Sequence, residues 1–212
     1  LRQVEHNFAR SVRHVRLFEI GTVFAPSDSL ADPPRESRHL AAVLTGARVP
    51  PHWSGETPTF DVWDVKAIAE SLVSEFGGGA LRVEPAEEAP VVGFAAALAF
   101  RIVDETGSPV GAAGLVAADA VDAPAWADPV WALEVRLEPR FAARRSPRYR
   151  PAPAFPAVDR DAALLVPDAL PAATVQALAA EAGGAVLESV HPFDLYRGTG
   201  VPEGTRSIAF RL

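Results

Sequence analysis

The chain has 212 residues, 49% hydrophobic and 22% charged, with a net charge of -7 at pH 7. That balance fits a folded core rather than disorder, and the acidic sum argues against a protein that coats nucleic acid through bulk electrostatics. No cysteine is present, so disulfides and thiolate metal sites are excluded.

No stretch approaches the roughly 18 uninterrupted apolar residues of a membrane span, and no basic-plus-apolar signal segment opens the sequence. A soluble, cytoplasmic protein is expected. Methionine is absent even at position 1, so Leu1 is expected to mark a fragment.

Val4, Phe8, Val12 and Val15 form a helical stripe at the start of the chain. Val15 to Phe24 reads as a strand, Ser27 to Arg38 as a Pro-, Asp- and Ser-rich loop, and His39 to Thr45 as a short strand buried on both faces. Asp61 to Phe76 is the clearest helix. Asp61 is its expected N-cap and Asp64 adds a carboxylate to the first turn, with Gly77-Gly78-Gly79 ending it. Val62, Val65, Ile68, Ala69, Leu72 and Phe76 make its expected buried stripe.

Strands are expected at Gly93 to Asp104, Val110 to Ala117 and Val130 to Leu137, with Thr106-Gly107-Ser108 turning the first into the second. Strands and helices mix without a regular βαβ period, which favours α+β. From Arg136 to Arg150, six arginines stand against Glu138 alone. That run is a solvated linker, an RNA-phosphate patch or an interface.

Beyond it, Ala157 to Val166 reads as a strand, Pro171 to Ala182 as a helix closed by Gly183-Gly184, and Ala185 to Val190 and Arg206 to Leu212 as two more strands. The polar-aromatic run His191 to Gly198 is placed in the turn region between these last two. Strand-helix-strand-strand is three quarters of a ferredoxin-like βαββαβ module, so its final helix and strand are expected to be missing.

Conventional catalytic constellations are weak. His6, His14, His39, His52 and His191 contain no His-x-x-x-His pair, and there is no Gly-x-Ser-x-Gly elbow. Gly77-Gly78-Gly79 ends a helix and lacks the Lys-Ser/Thr of a phosphate loop. Asp61/Asp64 is explained by capping, and Glu87/Glu88 lies in a polar loop.

Single-stranded RNA is read by stacking bases on aromatics, with arginines holding phosphates. Phe193, Tyr196 and Arg197 cluster in one segment, and Arg160-Asp161 lies on a neighbouring edge strand. Phe193 or Tyr196 can stack a base while Arg160 and Asp161 address its edge. Equally, Phe193 can be core and Arg160-Asp161 an ordinary surface pair.

The same residues carry a family resemblance. Tyr149-Arg150-Pro151, Phe155-Pro156 and Arg160-Asp161, then Glu188-Ser189-Val190 and Phe193 to Gly198, then Ser207 to Leu212, resemble the C-terminal anticodon-binding module of the bacterial phenylalanyl-tRNA synthetase β subunit. Upstream, Arg16 to Phe24 and Trp63-Asp64-Val65-Lys66 resemble the synthetase-like core of that subunit. Pro90-Val91-Val92-Gly93 departs from the His-Pro-Gly-Arg-Ser type run usual there.

The resemblance implies a class II synthetase-like antiparallel-sheet domain at 1–138, an Arg/Pro-rich linker at 139–151 and a truncated ferredoxin-like module (βαβ-β) at 152–212. With no Gly-x-Gly-x-x-Arg equivalent, the core is expected to be catalytically silent, with no cofactor of its own, although the whole enzyme would use ATP and Mg2+. The implied partners are the α subunit, in an (αβ)2 heterotetramer, and tRNA(Phe), with no membrane. Arg150, Arg160, Asp161, Phe193, Tyr196 and Arg197 are the implied RNA-binding residues. The alternative is a free-standing ferredoxin-like interaction or regulatory module.

Overall fold

A computed structural model describes residues 1–27, 32–50, 52–77, 81–137, 149 and 155–212. The chain divides into two compact units, Leu1–Ser146 and Pro147–Leu212. No helix among the described residues is long and apolar enough to cross a membrane.

The larger unit begins with helix α1 (Arg2–Phe8), then strands β1 (Val15–Ala25) and β2 (Arg35–Thr45), helix α2 (Val62–Gly77), and strands β3 (Leu81–Pro85), β4 (Phe94–Asp104), β5 (Pro109–Val116) and β6 (Trp131–Leu137). Its six strands form one antiparallel sheet in the order β1-β2-β6-β5-β4-β3. Helix α2 packs Val65 and Ala69 onto Leu40, Leu44, Leu133 and Val135, while α1 closes a second cluster with Val4 and Phe8 against Val116 and Val130.

The start of α2 follows from two side chains. Asp61 Oδ1 accepts hydrogen bonds from the backbone N–H of Trp63 and Asp64, at 2.8 and 3.1 Å, and Asp64 Oδ2 accepts from the N–H of Asp61 at 3.0 Å. This reciprocal box satisfies donors that the first helical turn leaves without partners. The β4–β5 hairpin is fixed similarly. Asp104 Oδ1 accepts from the N–H of Thr106 and of Ser108, and Gly107 takes a φ of +81° that few other residues adopt.

Three sequence expectations for this unit change. Strand β2 starts at Arg35, inside the expected loop, because all eleven residues of β1 pair with it from Ala25↔Arg35 to Val15↔Thr45. It is not buried on both faces throughout: Leu40, Leu44 and Thr45 are buried, whereas Ala41, Ala42 and Val43 are half-buried. Phe76 is exposed, since the α2 stripe leaves the core before the last turn. Strand β3 was not anticipated. Residues 78–80, which include two of the expected terminating glycines, lie outside the described residues, as does most of the arginine-rich stretch.

The smaller unit contains β7 (Asp161–Pro167), α3 (Ala172–Gly183), a short 3-10 turn (Gly184–Val186), β8 (His191–Tyr196) and β9 (Thr205–Arg211). The sheet order is β7-β9-β8, with β9 antiparallel to both neighbours. This is the split βαβ of a ferredoxin-like fold, with the third strand inserted between the two joined by the helix. Val166, Ile208 and Phe210 pack with Val175 of α3 to make its core.

The strand expected at 185–190 is absent, and the segment expected as a turn is itself strand β8. Gly184 leaves α3 with φ +53°, Val186 is 92% exposed, and the carbonyl of Val190 is taken by Gln176 Nε2 of α3 at 2.6 Å. Residues 184–190 are thus tied to the helix as the return path. The ladder partners of β9 are His191↔Arg211 through Tyr196↔Ser207, with a bulge at Phe193.

Candidate nucleic-acid interface

Alternation along β9 sorts the smaller sheet into two faces. Ile208 and Phe210 point beneath α3, so Ser207, Ala209 and Arg211 point to the opposite face. Cross-strand partners share a face, which places Asp161 beside Arg211 on β7 and Tyr196 beside Ser207 on β8. Helix α3, the helix of this unit, packs on the other side.

One end of the open face carries a three-strand cluster. Arg211 donates from Nε to Asp161 Oδ1 at 2.9 Å and from Nη2 to Asp161 Oδ2 at 3.0 Å. Its guanidinium carbon lies 5.1 Å from the centroid of the Phe193 ring. The paired hydrogen bonds hold the Asp161 carboxyl below the usual carboxylate range and raise Arg211 above its ordinary value. The bulge in β8 turns Phe193 toward Arg211.

Tyr196 lies near the other end, three residues further along β8, roughly 10 Å away at strand rise. It is half exposed, and its hydroxyl donates to the carbonyl of Thr199. Arg197 forms an ion pair with Asp168 at 2.6 Å, so its charge is already engaged. Arg160 pairs with Leu212 through its backbone in both directions, and among the described residues its side chain donates only to the adjacent Asp159 carbonyl at 3.4 Å.

Asp161 and Phe193 are therefore brought together, Arg160 adjoins them in sequence, and Tyr196 and Arg197 stand apart. Arg150 lies outside the described residues. Sequence reasoning missed Arg211, the residue that joins Asp161 to Phe193. Its signal was the period of two in the terminal strand, which sets Arg211 opposite the apolar Ile208 and Phe210.

The larger unit offers two other surfaces. Strand β1 is a sheet edge with an exposed apolar row: Phe18 is 76% exposed, and Ile20 and Phe24 follow on the same face. A cavity of about 380 Å3 lies on this sheet, with Leu17, Ala41, Val43 and Ala132 among its lining and Glu19 and Glu134 as its carboxylates. No lysine or arginine lines it among the described residues. Arg16, in the strand that resembles the synthetase-like core, donates to the carbonyls of Ala47 and Arg48 and lies over Phe60. These residues do not fit a triphosphate-binding site, since no lysine or arginine among the described residues lines the cavity and Arg16 is committed to backbone oxygens.

The histidines nearest this sheet are used locally. His14 Nδ1 accepts from the Ala47 N–H, and His39 pairs with Glu134 at 2.6 Å. Among the described residues no three His, Cys, Asp or Glu side chains converge as metal ligands.

Comparison with known proteins agrees with this division. Residues 1–137 match the family described as the phenylalanyl tRNA synthetase beta chain CLM domain, and residues 153–212 match the ferredoxin-fold anticodon binding domain. The phenylalanine–tRNA ligase beta subunit of Moorella thermoacetica is 34% identical over 207 residues, covering 97% of this chain and 25% of the relative. Those of Salinibacter ruber and Bacillus cereus are 33% and 32% identical, each covering all of this chain and 26% of the relative. The chain spans about a quarter of the length of these relatives. It belongs to the phenylalanine–tRNA ligase β-subunit family.

Proposed function

We propose that this chain is a non-catalytic portion of a phenylalanine–tRNA ligase β subunit that binds the anticodon region of tRNA(Phe) through the open face of the β7-β9-β8 sheet. The supporting observation is the presentation of Phe193, Arg211 and Tyr196 on a sheet face that α3 leaves bare. Single-stranded loops expose base faces for stacking, and a sheet carrying aromatics and arginine meets that need. Residues 1–138 form the synthetase-like scaffold in this reading, with 139–151 linking it to the anticodon module at 152–212.

The scaffold contacts the α subunit and assembles the (αβ)2 enzyme. The apolar row Phe18, Ile20 and Phe24 on the β1 edge supports such a contact, because a long apolar edge strand calls for a cover. ATP and Mg2+ serve the whole enzyme away from this scaffold. A cavity that no lysine or arginine among the described residues lines supports a silent core.

The test is the complete enzyme carrying Arg160→Ala together with Tyr196→Ala. Weaker tRNA(Phe) binding with unchanged α–β association is the expected result. Unchanged tRNA affinity would refute the assignment of these residues.

A further inference from the structure

We propose that Arg211 is a base-stacking platform for the bound RNA, held flat by Asp161, and that Asp161 is a positioning residue rather than an RNA contact. This deepens, and rests on, the reading of the open sheet face as an RNA-binding surface.

The geometry separates the two roles. Asp161 uses both carboxylate oxygens on Nε and Nη2 of Arg211, at 2.9 and 3.0 Å. A bidentate pair fixes the plane of the guanidinium as well as its place. Phe193 lies against that group, 5.1 Å from its central carbon to the ring centroid. Arg211 and Asp161 are both about half exposed, so the assembly faces solvent. Guanidinium planes stack on nucleobases as aromatic rings do, and the Phe193 ring, over which Arg211 lies, backs the guanidinium on one side. Asp161, with both oxygens engaged, is poorly placed to read a base edge.

Charge decides what kind of contact this is. Residues 155–212 carry seven Asp and Glu against four Arg, a net side-chain charge of -3. Of the four, Arg211 is neutralised by Asp161 and Arg197 is paired with Asp168. Arg206 is turned inward, donating to the Leu170 carbonyl. Arg160 alone is left without a carboxylate partner among the described residues. A surface of this balance gains little by releasing counterions from phosphates. Its contribution must come from stacking, which depends weakly on salt.

The experiment measures tRNA(Phe) affinity of the complete α–β enzyme across a salt series, for Arg211→Ala, Arg211→Lys, Asp161→Asn, Phe193→Ala and Arg160→Ala. Arg211→Ala and Arg211→Lys should each weaken binding about 10-fold, the scale of one lost stack, and Arg211→Lys, which keeps a positive charge opposite Asp161, should leave the slope of log affinity on log salt unchanged. Lysine keeps the charge and loses the plane, so it should not rescue. Arg160→Ala should flatten the slope by about 0.7, as expected for one phosphate contact on a single strand. Asp161→Asn leaves Arg211 unpaired, so it should steepen the slope and weaken binding at high salt. In the Arg211→Ala background it should do neither.

Full affinity of Arg211→Lys would make Arg211 a simple phosphate contact and overturn the inference. If Arg211→Ala binds normally while Phe193→Ala and Arg160→Ala do not, the inference fails and the RNA-binding face stands. If none of the five substitutions alters binding, the reading of that face fails as well.

Discussion

Arg211 of β9 and Asp161 of β7 sit directly opposite each other in the ladder and close two hydrogen bonds across it, at 2.9 and 3.0 Å. The register alone puts the two Cα atoms side by side, and the shared sheet face does the rest. The pair ties the first strand of the smaller unit to its last.

The lowered pKa of Asp161 makes the pair pH-sensitive in a defined sense. Its causes, largest first, are the Arg211 hydrogen bond, which lowers it, desolvation, which opposes the shift, and the Arg211 charge, which lowers it further. A folded-state pKa below the unfolded one gives stability that is present above the unfolded value and lost as pH falls through the folded value. The effect is small because both groups are exposed. Carboxyl-resolved NMR should place Asp161 below the ordinary Asp range, and Arg211→Ala should return it there.

Capping of α2 should be separable from its core. Asp61→Ala removes the oxygen that accepts from Trp63 and Asp64, and is expected to cost about 1 kcal/mol. Denaturant unfolding with an unchanged m-value would register it. Leu133→Ala, at a side chain 1% exposed between α2 and the sheet, is expected to cost 2–5 kcal/mol (an order-of-magnitude range).

The β1 edge supplies a prediction about partners. Phe18→Asp places a charge in the exposed apolar row without touching the core. The folded β subunit should keep its thermal stability within about 0.5 kcal/mol while its affinity for the α subunit falls by at least 10-fold. Sedimentation of the mixed subunits would show this, and intact heterotetramer would assign the α contact elsewhere.

The cavity on the larger sheet predicts a negative. Glu19 and Glu134 line it, and Arg16 is held by the Ala47 and Arg48 carbonyls. The chain alone should therefore give no ATP–pyrophosphate exchange with phenylalanine. Exchange in the absence of any α subunit would contradict a silent core.

Local rules made much of this fold legible from sequence. Asp61 and Asp64 announced the start of α2, and Gly107 between polar neighbours announced the β4–β5 turn, because caps and turns are decided within a few residues. Strand β8 was hidden for the opposite reason. His191-Pro192-Phe193-Asp194 has little strand propensity, and only the unfilled edge of β9 recruits it. The run 185–190, with Val186, Leu187 and Val190, reads as the better strand, but Gly184 and the Gln176 bond to Val190 keep it with α3. Arg211 escaped notice as a site residue because its partners, Asp161 and Phe193, are distant in sequence. Pairing and register bring them together.

In the proposed function the open face of the small sheet holds the anticodon loop. Cross-linking tests it most directly, using tRNA(Phe) with a photoreactive uridine in that loop, bound to the complete enzyme and mapped by peptide mass spectrometry. If that face holds the loop, adducts are expected within His191–Tyr196 or Thr205–Arg211 and are reduced by the Phe193→Ala substitution. Adducts confined to peptides outside residues 155–212 would contradict it.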